Sequence, residues 1–361
     1  MFFEDDKDVY QNLGYFHWIT NTMAILTILV NGQLFYVVYR YSSPEIGNYK
    51  YLIMCFSVFA IFYAGIDIIV QPVCYCFGSA FGFFSSSFLR HAPREFQIIT
   101  SLHPGTYSMS QFLLMLHFIY RYMAVYKRHQ LQWFTYPRCL IWFVSFILYS
   151  GNFCLTIFFL FQPNEVYRSY LRKYFINVYK VNIDNVYFFG GQYFEETPTG
   201  KVPRWKDFLT ILNLITLVQI VMVTIFYIFF KMTKAMRELD IVMSKRLKRL
   251  QIQFFQALSL QLFIPLVTSF FPIGMFYLCP LLDIEMGIYS NVVFILLSFQ
   301  MLLDACVTFT VIKDYRKALV RIFFRNIINP LLGKNRIEVN NSSNSMPKSD
   351  PNTRPQSNSQ L

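Results

Sequence analysis

Apolar residues in this chain come in long unbroken runs. Six of them reach about 20 residues, the length that carries a helix across a hydrocarbon core roughly 30 Å thick. They lie near 18–39, 52–73, 139–161, 208–230, 253–278 and 288–312. A seventh, near 103–126, opens on the polar and small residues HPGTYSMSQ, which suits a helix packed inside a bundle rather than against lipid. None alternates with the period of two expected of barrel strands, so the pattern predicts an all-α fold, a seven-transmembrane helix bundle.

The segments between the runs add detail. Residues 162–207 contain EVYRSYLRKYFINVYKV and VYFFGGQYFEE, whose near-helical apolar spacing predicts a helix around 165–180, followed by a turn at Gly190 and Gly191. Such a segment could cap the bundle. After the last run, Lys313, Lys317, Arg321 and Arg325 recur at spacing four, with Tyr315, Leu319, Ile322 and Phe323 on the other side. This predicts a short amphipathic helix over 313–328 lying in the membrane interface. Beyond residue 334 the serine-rich sequence NNSSNSMPKSDPNTRPQSNSQ predicts a disordered tail.

Composition agrees with a bilayer as solvent: 55% of the 361 residues are hydrophobic and only 14% charged, against about a quarter charged in soluble domains. Charge then sets orientation. With residues 1–17 outside, 22 lysines and arginines fall on inner segments and ten on outer ones, seven of the ten in the long 162–207 segment. The rule weighs short loops near helix ends, so an extracellular N-terminus is expected. The start MFFEDDKDVY is acidic and has no cleavage-site pattern, so no removable signal peptide is expected.

Cys55, Cys139, Cys154 and Cys306 fall in or beside spans as packing residues, whereas Cys74, Cys76 and Cys279 lie near the outer face, where a disulfide is permitted. Glycosylation sequons occur only at Asn340 and Asn341, in the inner tail. Five histidines without HExxH spacing, and the lack of GxSxG and P-loop motifs, give no support for metal, hydrolase or nucleotide chemistry. A non-enzymatic protein without a cofactor is expected.

Five blocks carry a resemblance: GNYKYL (47–52), FGSAF (77–81), HFIYRYMAV (117–125), QFFQALSLQLFIP (253–265) and IKDYRKA (312–318). In this order and spacing the chain resembles the nematode Str-type seven-transmembrane chemoreceptors from about residue 10 to residue 320. The resemblance implies a G-protein-coupled olfactory receptor of the plasma membrane, in the ciliary membrane of a chemosensory neuron. Its partners would be a small-molecule odorant or other chemical cue, a heterotrimeric G protein and the lipid bilayer, with no nucleic acid. A ligand-gated channel or a secondary transporter is the alternative, but neither the charge count nor any internal repeat favours one.

The resemblance also points to positions. Tyr120, Arg121 and Tyr122 stand where rhodopsin-like receptors carry an acid-arginine-tyrosine triplet, here without the acid. By position alone Arg121 could simply snorkel to the interface and fix helix depth; the resemblance implies contact with the G protein, together with Tyr122, Lys127, Arg128, Lys245, Arg246 and Arg249. These basic stretches also attract anionic lipid, by about 1 kcal/mol per charge. The resemblance further implies prolines in helix 7 where Met301 and Ala305 stand, with Asp304 retained, while Pro265 and Pro272 remain in helix 6. Helix 7 is therefore expected to be straighter than in relatives and helix 6 to be kinked. The loop 162–207 has no cysteine for the bridge to helix 3 that rhodopsin-like receptors carry.

Polar residues at membrane depth should face the bundle interior. Asp67 with Gln71, and Tyr107 with Gln111, are each four apart and would share a helix face; with Phe270 and Asn291 they form a candidate ligand pocket. A structural side-chain network is the competing role for Asp67. His117 lies deeper and reads as a packed residue.

Overall fold

The computed structural model describes residues 4–238 and 245–324. The chain forms two compact units, residues 1–318 and 319–361. The tail beyond residue 324, with Arg325, Asn340 and Asn341, lies outside the described residues.

The first unit is a helical bundle with a small sheet at one end. Its helices are α1 (Glu4–Tyr41), α2 (Tyr49–Val70), α3 (Ile98–Tyr126), α4 (Leu140–Leu160), the short α5 (Glu165–Tyr174), α6 (Trp205–Glu238), α7 (Lys245–Pro265), α8 (Phe271–Leu281) and α9 (Val292–Val311). A five-residue π turn, Leu266–Phe270, joins α7 to α8, so the two make one long helix. Six stretches are long and apolar enough to cross a membrane, with α7 and α8 counted together. The remaining long helix, α3, packs on α2, α4, α6 and α7 and buries nearly every side chain from Thr100 to Phe118. Its polar residues are thus kept from lipid by its neighbours.

Two prolines account for the sixth spanning helix. Pro265 and Pro272 each lack the N–H that would donate to the preceding turn, and the π turn falls between them. Through Met301 and Ala305, α9 runs as uninterrupted α-helix. A final helix, α10, covers Lys313–Phe323.

The sheet was not legible in the hydrophobic pattern. Helix 2, expected to reach residue 73, stops at Val70, because Pro72 disfavours helix at the residue before it; Gln71 takes a left-handed conformation with φ 45°. The chain turns into β1 (Pro72–Phe77), a two-residue loop, and β2 (Ala80–Ser85). Gly78 opens that loop with φ +51°, which a tight hairpin requires and a side chain resists. The third strand, β3 (Phe188–Gln192), comes from the long loop and pairs antiparallel with β2. Gly190 and Gly191, expected in a turn, therefore sit in mid-strand. A Cβ on Gly190 would fall 2.3 Å from the Phe81 carbonyl and 2.4 Å from the Tyr75 hydroxyl, and one on Gly82 would fall 2.2 Å from the Phe189 carbonyl. Glycine is used here because Tyr75 lies across both strands.

Side chains alternate across the sheet. Val73, Tyr75, Phe84 and Phe188 pack under α5, the helix expected near 165–180, with Tyr167, Leu171 and Phe175. Cys74, Cys76, Phe81 and Phe189 face the bundle. Tyr167 donates to the Phe81 carbonyl at 2.8 Å and Tyr179 to that of Cys74 at 2.8 Å. All seven cysteines are free, so strand pairing and these hydroxyls hold the loop without a disulfide. A separate hairpin, β4 (Phe194–Thr197) with β5 (Gly200–Pro203), leads into α6.

Candidate functional site

Beneath the sheet lies a cavity of about 410 Å³, within the range of small-molecule sites. Its roof is Cys74, Phe81 and Phe83 from the sheet; its walls include His103 and Tyr107 from α3, Phe153 and Ile157 from α4, Leu214 and Val218 from α6, Phe276 and Tyr277 from α8, and Phe294 and Leu297 from α9. Among the described residues, no Asp, Glu, Lys or Arg lines it. Tyr107 is buried, and its hydroxyl has no hydrogen-bond partner; Ser269, which lies near it, donates to Gln300 instead.

Of the six positions expected to form a pocket, Tyr107 and Phe270 line the cavity. Asp67 does not: it accepts from Ser298 Oγ at 2.6 Å and pairs with His103 Nε2 at 3.1 Å, a buried knot joining α2, α3 and α9. It reaches the cavity only through His103. Gln71 has left the helix and shares no face with Asp67; its carbonyl accepts from Ser86 N–H at 3.1 Å. Gln111 is buried away from the cavity, its amide unpartnered. Asn291 accepts from Cys74 N–H at 2.9 Å and so anchors β1 to the start of α9.

The other end of the bundle is organised around Arg121. It is 3% exposed, so it does not snorkel. Its guanidinium carbon lies 3.5 Å from the centre of the Tyr49 ring and 3.6 Å from that of Phe254, and Nη1 donates to Gln251 Oε1 at 3.1 Å. Aromatic faces carry negative charge density and offset part of the cost of burying the cation. Tyr49 reaches His117 Nδ1 at 3.0 Å, which explains the packed histidine. Tyr315, at the start of α10, is fully buried and its hydroxyl meets Ser42 Oγ at 2.9 Å.

The remaining coupling candidates lie near the end of α3 and the start of α7, and the membrane-interface candidates lie on α10. Tyr122 is partly buried, its ring 5.4 Å from that of Tyr126, while Lys127 and Arg128 are exposed just past the end of α3. Arg246, near the start of α7, pairs with Glu45 at 3.3 Å. Arg249 is exposed one turn on, and Lys245 opens the helix. Lys313 and Lys317 are exposed on α10, which carries Arg321 one turn further.

Sequence reasoning missed Tyr49, Phe254 and Gln251, the groups that hold Arg121. Two of them lie in blocks quoted above for another reason: Tyr49 in GNYKYL and Phe254 in QFFQALSLQLFIP. Tyr315 lies in IKDYRKA and FGSAF is the hairpin turn of the roof.

A bundle of membrane-spanning helices with a mostly apolar cavity under a sheet at one end and a buried arginine held by two aromatic rings at the other has the build of a seven-helix membrane receptor. The chain belongs to the Str family of serpentine-type seven-transmembrane G-protein-coupled chemoreceptors, whose description matches residues 16–320. It is 28% identical over 305 residues to "G-protein coupled receptor str-33" of Caenorhabditis elegans, covering 83% of this chain and 88% of that one. It is 26% identical over 293 residues to "Serpentine receptor class r-10" of the same organism, covering 81% and 84%.

Proposed function

We propose that this chain is an olfactory receptor of the plasma membrane, in sensory cilia, that binds a small environmental molecule in the cavity beneath the sheet and activates a heterotrimeric G protein at the Arg121 end. The charge count supports placing that end in the cytoplasm. The observation that carries the reading is that one helix serves both places. Phe270 and Tyr277 line the cavity, and Phe254 and Gln251 hold Arg121. Phe254 and Phe270 are roughly 24 Å apart along the helix at 1.5 Å per residue. Between them lie Pro265 and the π turn.

A ligand pressing on Phe270 tilts the α7 portion about the π turn, withdraws Phe254 and releases Arg121 to the cytoplasm. Tyr122, Lys127, Arg128, Lys245, Arg246 and Arg249 surround the surface so exposed, while the lysines of α10 rest on anionic lipid. The test is a small-odorant screen in cells expressing the chain, read by calcium or cAMP and repeated with Arg121→Ala. The reading requires the response to vanish at normal surface expression; an unchanged response removes Arg121 from coupling.

A further inference from the structure

We infer that the cavity is loaded sideways from the bilayer, through a gap between α6 and α8, and that it accepts neutral lipophilic molecules bearing a polar oxygen. This rests on the reading of the cavity as the ligand site.

The sheet offers no entrance from water. Its three strands are buried along almost their whole length, and α5 covers their outer face. The seam between the loop before α6 and the end of α8 is also bridged: Tyr193 donates to the Tyr277 carbonyl at 3.0 Å, and Lys201 pairs with Asp283. At the opposite end, Phe229 of α6 packs on Phe255 and Phe263 of α7 with ring centres 5.7 and 6.0 Å apart.

Between those closures the wall is thin. Ile215 and Gln219 of α6 and Gly274 and Leu278 of α8 line the cavity and are also exposed on the outside of the bundle. Residues that face both the cavity and the surrounding lipid define a mouth. A Cβ on Gly274 would meet nothing within 4 Å, so the space beside it is unfilled. Ile215 lies roughly 15 Å along α6 from its first residue at 1.5 Å per residue, at membrane depth rather than at the water boundary. Gln219, one turn deeper, supplies a polar group at the mouth, where lipid alone offers it no partner.

The lining sets the ligand's chemistry. A charged ligand would enter a site with no counter-ion and lose its hydration. The unpartnered Tyr107 hydroxyl donates to an acceptor such as a carbonyl or ether oxygen, and the unpartnered Nδ1 of His103, which lines the same cavity, offers a second polar contact. A molecule of this kind partitions into lipid before it reaches the protein.

The experiment uses the full chain in lipid nanodiscs with the neutral ketone fluorophore prodan, read against empty nanodiscs, with 2-undecanone as competitor. Gly274→Trp and Ile215→Trp fill the mouth from opposite sides; Ile215 is exposed, so its variant keeps the test available if Gly274→Trp misfolds. Both are expected to slow association and dissociation about tenfold, while Lys201→Ala, which loosens the water-facing seam, changes neither rate. Unchanged rates in the mouth variants, or faster rates in Lys201→Ala, overturn the lateral route. Failure of the wild type to bind the fluorophore, or to release it to 2-undecanone, overturns the cavity as a lipophilic ligand site and the route with it.

Discussion

The guanidinium carbon of Arg121 lies over the ring of Phe254, 3.6 Å from its centre. It ties α3 to α7 without a carboxylate partner among the described residues. In place of an acid, two aromatic faces and one amide hold the cation. A desolvated cation–aromatic contact contributes about 2 kcal/mol, so Phe254→Leu should shift the resting equilibrium toward the active form by roughly 30-fold. Ligand-free signalling, normalised to surface expression, measures this. Basal activity equal to wild type would show that Phe254 does not restrain the arginine.

Planarity separates Arg121 from lysine. A lysine keeps the charge but cannot spread a planar cation over the Tyr49 and Phe254 rings or present the same donor fork to Gln251. Arg121→Lys should therefore raise basal signalling above wild type while Arg121→Ala abolishes ligand-driven signalling. A lysine variant indistinguishable from wild type would mean that charge alone matters here.

The glycines of the lid test its packing. Gly82→Ala puts a methyl group 2.2 Å from the Phe189 carbonyl, an overpacking worth about 3 kcal/mol. The expected result is a clear fall in Tm of the purified protein and in surface expression. Gly65→Ala in α2, where a Cβ meets nothing within 4 Å, should hold or raise Tm, since alanine favours helix by about 1 kcal/mol.

Asp67 joins three helices, and its removal strands His103 and Ser298 in a buried site. Asp67→Ala should cost about 3 kcal/mol and Ser298→Ala about 1 kcal/mol. Denaturation midpoints compare the two; equal effects would argue against Asp67 as the centre of the knot.

Thiol reactivity reports whether the lid stays shut. Burial pushes the Cys76 thiol up to about 11 and raises Cys74 as well, so both are neutral thiols at pH 7.4 and shielded from reagent. A membrane-impermeant maleimide should label neither on intact cells, and both after denaturation. Labelling of the folded receptor would reveal a lid that opens to water.

The chain's apolar runs determined the helices and their bundling, because a helix satisfies its own backbone and lipid rewards any apolar run of sufficient length. The prolines of the sixth spanning helix and the polar face of α3 were legible for the same local reason. The lid was not: Pro72 and the glycines at 190 and 191 read as punctuation, and only pairing of β2 with a strand more than a hundred residues later made them parts of a sheet. The candidate site divided in the same way. Tyr107 could be picked from polarity and spacing and Arg121 from the family resemblance, whereas Gln251, 130 positions from Arg121, could not. Gln71 was misplaced because a backbone reversal, invisible in helical spacing, turned it out of the face it seemed to share with Asp67. Helix formation depends on neighbours along the chain; what holds a buried cation or closes a cavity depends on neighbours in space, and those the tertiary structure alone decided.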